Sequence, residues 1–151
     1  MRHQLFDLGY QNMKDAETTA RAVKKMGALL VDIRKSPTSK DAQWKKDNIA
    51  KLLPKNYLHL SDLGNENYKG KGINLTYPER GLPRVMEFLE TTDVILMCAC
   101  WNRDRCHRLG VVLMLAEDYK IDSIPLTRAM VKELAGPDPS KPQQLTLGGI
   151  A

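Results

Sequence analysis

The stretch Asp93-Val-Ile-Leu-Met-Cys-Ala-Cys-Trp-Asn-Arg-Asp-Arg-Cys-His-Arg108 concentrates reactive side chains. All three cysteines of the chain, one of its three histidines and three arginines fall between Cys98 and Arg108. An apolar run ends at Cys98, a polar loop carries Cys100, Arg103 and Arg105, and Cys106-His107-Arg108 precedes a new apolar helical pattern from Leu109. A thiol at the end of a buried strand, just before a helix N-terminus, faces backbone N–H groups and the positive end of the helix dipole. Arginines beside it add positive charge, and both effects favour the thiolate. The same surroundings hold a phosphate, sulfate or carboxylate. Cys98 therefore reads as a nucleophile acting on an anionic substrate, with His107 as a second chemical group, and Arg103, Arg105, Cys106 and Arg108 as ligand-binding residues. Without chemistry, Cys98 is a small hydrophobe closing its strand over a plain anion site.

Cys98, Cys100, Cys106 and His107 offer four metal-ligand types, but C-x-C-x5-C-H lacks the paired C-x2-C knuckles of common zinc sites. No metal and no cofactor is assigned on that spacing. A redox disulfide between Cys106 and either Cys98 or Cys100 is equally open.

The elements that position these residues alternate in type. Leu5–Gly9 reads as a strand, and Asp15 caps a helix that Gly27 ends. Ala28–Ile33 is a nearly continuous apolar run suited to a parallel strand buried on both faces. A helix follows from about 40 to 53 and stops at Pro54. Tyr57–Leu60 is a third strand, and a turn-rich loop runs from Ser61 to about Pro78, long enough to be a lid or mobile. Leu82, Val85, Met86 and Leu89 mark a third helix, and Asp93–Cys98 a fourth strand. Leu109, Val112, Leu113, Ala116 and Tyr119 mark a fourth helix. Ile121–Leu126 is a last strand, with Pro125 at an edge, and a short helix follows at 128–134. The expected fold is a single three-layer α/β domain over residues 1–135. Its mostly parallel sheet has about five strands and helices on both faces. An irregular Pro-rich tail occupies 136–151.

In such sheets ligands sit at the carboxyl ends of the strands, near the switch point of the topology. The loops there are Gly9-Tyr10, Arg34–Ser39, Ser61–Asn67 and Cys98–Arg105, which hold most of the unusual residues. Gly9, Tyr10, Arg34, Ser36 and His59 join the ligand-binding set on that ground. Asp32 and Arg34 flank Ile33 and point to one side, placed either to orient a substrate, with Asp32 as an acid–base group, or to pair internally.

The chain carries a net charge of +5. Residues 34–55 hold one arginine and six lysines against Asp41 and Asp47, either a basic face for nucleotides or nucleic acid or a solvated helix. Trp44 is the aromatic residue interleaved there. No apolar run approaches the roughly 18 residues of a membrane span, and the cysteines are odd in number and clustered, unlike a secreted disulfide framework. A cytoplasmic protein with no membrane partner is expected.

Several motifs occur together in order: Leu8-Gly9-Tyr10, Leu30-Val-Asp-Ile-Arg34 with Ser36-Pro37, Tyr57-Leu-His59 with Leu63-Gly64, and Leu96-Met-Cys98 followed by Cys106-His-Arg108. Over residues 4–126 this resembles the domain of unknown function 488 family. The resemblance implies an α/β fold and a shared site built from these motifs, without supplying an activity. Relatives commonly carry an acidic residue two positions after the first cysteine, where Cys100 stands here. A fainter likeness joins the Asp-x-Arg strand end and the Cys98 loop to rhodanese-type sulfurtransferases, at the level of fold alone and without the glycine usual in their loop. The best expectation is an enzyme, a Cys- or His-dependent transferase or hydrolase, acting on a nucleotide, nucleic acid or other anion. The alternatives are a non-catalytic nucleotide- or nucleic-acid-binding module and a metal or redox site at the cysteines.

Overall fold

The computed structural model describes residues 2–67 and 72–140. Five strands form one sheet: β1 (Leu5–Gly9), β2 (Leu29–Asp32), β3 (Tyr57–His59), β4 (Val94–Cys98) and β5 (Ser123–Pro125). Their order is β3-β2-β4-β1-β5 and every pairing is parallel. The helices are α1 (Ala16–Met26), α2 (Lys46–Leu52), α3 (Pro78–Leu89), α4 (His107–Tyr119) and α5 (Arg128–Ala135). The fold is a single α/β domain. No described helix is long and apolar enough to cross a membrane.

Strand alternation sorts the core into two halves. Leu8, Leu30, Ile95 and Met97 pack under α1, α2 and α5 with Ala20, Val23, Ile49 and Val131. Leu5, Val31, Val94, Leu96 and Cys98 pack under α3 and α4 with Val85, Leu89, Val111 and Leu115. β4 is buried along its whole length because helices cover both its faces. The connections after β1 and β2 run toward the β3 edge under one face, and those after β3 and β4 run back under the other. That is the arrangement right-handed crossovers require. The carboxyl end of β4 therefore lies at the switch point, flanked on both sides by strands whose chains leave over the opposite face.

Local signals account for the element ends. The Asp15 side chain accepts from Thr18 N at 2.7 Å, and Gly27 takes the left-handed conformation (φ 65°) that closes α1. β5 is an edge strand, where the missing N–H of Pro125 costs no ladder bond. The helix expected over 40–53 is shorter. Residues Ala42–Trp44 form a 3-10 turn and α2 begins only at Lys46, since Lys46 N is bound to the Pro37 carbonyl at 3.0 Å. The expected third helix starts a turn earlier, with Pro78 at its first position.

The long loop after β3 is organised around Asn65. Its Oδ1 accepts from Asn67 N at 3.0 Å and Asn74 N at 2.9 Å, and Asn65 bridges Leu75. Of the expected tail, residues 136–140 are described, and Gly136 accepts from Arg21 at 3.2 Å. Residues 141–151 lie outside the described residues.

Candidate functional site

A cleft of about 520 Å³ opens at the carboxyl edge of the sheet. Three of the four expected loops line it: Arg34, Lys35, Ser36 and Thr38 after β2; Asn65, Asn67, Gly72 and Ile73 after β3; Cys98–Cys100, Asp104, Arg105 and His107 after β4. The fourth, Gly9-Tyr10, supports it from behind. A Cβ on Gly9 would lie 1.8 Å from the Cys100 carbonyl oxygen and 2.7 Å from Arg108 Nη1. Gly9 has an ordinary φ of −107°, so the need for glycine is close packing against the cysteine loop. Gly64 answers the same need on the other side, where a Cβ would meet Lys35 Cα at 2.5 Å.

Cys98 ends β4, Cys100 stands in the loop, and Cys106 is the N-cap of α4, its sulfur 3.5 Å from Arg108 N. The three sulfurs lie within 4.8 Å of one another, and Cys106 Sγ is 2.8 Å from Cys98 Sγ. Cys98 and Cys106 are buried, while Cys100 is half-exposed. His107 Nε2 lies 2.8 Å from the Ile33 carbonyl and so carries a proton. Its Nδ1 lies 3.5 Å from Cys98 Sγ.

Thiols this close cannot all ionise, since like charges repel. Hydrogen bonds from Cys106 and Cys98, aided by the positive charge of His107 and Arg108, drive the Cys100 pKa far below the usual thiol value. Donation to Cys100, together with burial, pushes Cys98 up to about 12. Cys106 is raised for the same reasons. Burial works against a charged His107, but contacts with Cys106 and the Ile33 carbonyl and the negative charge of the cluster raise its pKa. These surroundings favour ionisation of Cys100 over Cys98.

The arginines divide differently from the expectation. Asp7, fully buried on β1, accepts from Arg103 Nε and Arg108 Nε, each at 2.9 Å, through Oδ1. Its Oδ2 accepts from Arg103 Nη2 at 3.0 Å and Ser123 Oγ at 2.5 Å. Arg108 also donates to the Cys100 carbonyl at 2.9 Å. Two arginines expected to cradle an anion are therefore bound to an internal carboxylate, and Arg108 fixes the loop that carries Cys100. Arg34 reaches the cleft but grips Asp32 at 2.9 and 2.7 Å and the Thr38 carbonyl at 3.1 Å. Asp32 is fully buried and also accepts from Tyr57 Oη at 2.6 Å, so the pair is internal and Asp32 does not line the cleft. Arg105 lines the cleft, is exposed and has no side-chain partner among the described residues. Lys35 lines it too, paired with Glu66 at 2.8 Å.

The remaining expected residues sit around this frame. Ser36 is exposed on the cleft wall. His59 Nε2 lies 2.7 Å from the Arg34 carbonyl and ties β3 to the loop after β2. Tyr10 is buried and stacks on Trp44, centroids 4.8 Å apart, with the Arg34 guanidinium 5.2 Å from its ring. Trp44 is therefore a core residue, 3% exposed, whereas Trp101 is 66% exposed. Trp101 lines two hollows, one shared with Cys100 and Arg105 and one with Arg103 and Arg128. Sequence reasoning missed Asp7, Ser123, Lys35 and Trp101. Asp7 alone left a mark, as an acid sharing strand parity with Leu5.

No curated protein and no solved structure matches the chain. The profile described as Domain of unknown function DUF488 matches residues 15–115, from the cap of α1 through the cysteine cluster into α4. That is well over half of the sequence, and the chain belongs to this family.

Proposed function

We propose that this chain is an enzyme acting on an anionic substrate in the cleft at the carboxyl edge of the sheet, with the Cys100 thiolate as nucleophile. The observation that carries the reading is the sulfur cluster on the wall of that cleft, in which Cys100 is the thiol open to solvent. Arg105 and Lys35 supply the positive charge that draws an anion in. Asp7, Arg103 and Arg108 are positioning residues that hold the loop. Cys100 Sγ bonds to the electrophilic centre of the substrate as the bond to the leaving group breaks and that group takes a proton from solvent. Water or a second acceptor then attacks the group held on sulfur, the bond to sulfur breaks, a proton returns to solvent and the thiolate is restored, giving a hydrolase or a transferase.

The test compares alkylation by iodoacetate and iodoacetamide, with the modified cysteine identified by mass spectrometry. Cys100 is expected to react first, with iodoacetate favoured over its neutral analogue, and Arg105→Ala is expected to remove that preference. Labelling no faster than a free thiol, or no preference for the anion, would overturn the reading.

A second reading, a non-catalytic module for a nucleotide or nucleic acid, is favoured by the exposed indole of Trp101 between Arg105 and Arg103. Bases stack on such rings while cations take the phosphates. The cytoplasmic setting belongs to the same proposal.

A further inference from the structure

From the sulfur geometry we infer that Cys98, Cys100 and Cys106 form a three-thiolate binding site, its fourth position open to the cleft, for one thiophilic d10 cation of the Zn²⁺ class. Zinc bound by thiolates at about 2.3 Å in a tetrahedron sets its sulfurs about 3.8 Å apart. Here the three sulfurs lie within 4.8 Å of one another. The pair at 2.8 Å, Cys98 and Cys106, opens by about 1 Å to reach the tetrahedral edge.

The surroundings match such a site in a further way. The three backbone positions are held before any ligand arrives: β4 fixes Cys98, the Arg108 bond to the Cys100 carbonyl fixes the loop, and the N-cap of α4 fixes Cys106. The spacing C-x-C-x5-C-H looks unlike a zinc knuckle because a strand end and a helix start, rather than a tight turn, bring the ligands together.

Binding displaces the remaining thiol protons to solvent and changes no oxidation state. The inference goes beyond the catalytic reading. The cation takes the sulfur that reading makes the nucleophile, so metal-loaded and reactive protein are two states of one cluster, and metal regulates access to Cys100.

The test titrates the full chain, reduced and stripped by a chelator, with Cd²⁺ while the ultraviolet cadmium–thiolate charge-transfer absorption is followed. Zn²⁺ is then added in competition, and free thiols are counted with a chromogenic disulfide reagent. The absorption is expected to saturate at one equivalent, to be reversed by Zn²⁺, and to leave none of the three thiols reactive at saturation. Cys100→Ser, at the half-exposed position least able to disturb the core, is expected to weaken binding on the order of 100-fold. Absence of a saturable band, unaltered affinity in Cys100→Ser, or a Cys98–Cys106 disulfide in place of bound metal would overturn the proposal. Alkylation of Cys100 is scored in metal-free protein, so the fate of the catalytic reading is decided separately.

Discussion

Replacing Asp7 by Asn keeps the shape of the side chain and removes the charge on which two guanidinium groups converge. Arg108 is 3% exposed, so its cation has no water to turn to once the carboxylate is gone. Asn also presents an amide N–H toward groups that only donate. Breaking a buried pair by removing one partner costs about 3–5 kcal/mol. At roughly 2–4 °C per kcal/mol for a domain of this size, the melting temperature falls by about 6–20 °C. Arg103→Met costs less, because Arg108 and Ser123 still hold the carboxylate. The pH dependence has a definite sign. Burial alone would raise the Asp7 pKa, but the bonds from Arg103, Ser123 and Arg108 outweigh it and the value lies below the usual carboxylate range. The unfolded chain therefore takes up the proton first, and the contribution of Asp7 is complete above about pH 4 and declines as the pH falls through the folded-state value. Urea unfolding of wild type and Asp7→Asn across pH is the assay. The gap between them is expected to be flat near neutrality and to shrink in acid. A gap under about 1 kcal/mol at pH 7, or one that widens in acid, would refute the view that Asp7 is the ionised hub of this loop.

Gly9→Ala forces a methyl group against the Cys100 carbonyl and is expected to destabilise by about 1–3 kcal/mol and to loosen the cluster, read as a lower melting temperature with faster alkylation of Cys98. Should the chain be a nucleic-acid module, its affinity for a single-stranded oligonucleotide falls steeply with salt, and Trp101→Ala removes about 1–3 kcal/mol; no binding at low salt removes that reading.

The fold was legible where physics is local. The apolar runs of β2 and β4, the Asp15 cap, the Gly27 stop and the edge placement of Pro125 follow from side-chain patterns within a few residues of one another. The site was legible as a place, since parallel strands alternating with helices send one set of loops to the carboxyl edge. Its wiring was not. Whether Arg103 and Arg108 face an anion or an internal acid depends on β1 lying beside β4, and nothing near residue 103 announces a partner at position 7. The two tryptophans show the same limit. Trp44 sits among lysines yet stacks on Tyr10 in the core, while Trp101 follows a buried strand yet faces water. Among the thiols, sequence gives proximity to arginines but not burial, and the fold buries Cys98 and Cys106 while leaving Cys100 half-buried.

The sheet order also governs how the chain can assemble. β1 and β2 share no hydrogen bonds with each other; each pairs with β4 between them. Until residues 94–98 are inserted, the sheet is two separate two-stranded pieces, β3 with β2 and β1 with β5, each too small to be stable alone. Closure thus waits on the strand that carries Cys98. The cluster takes its buried, ordered arrangement only as the molecule completes its fold.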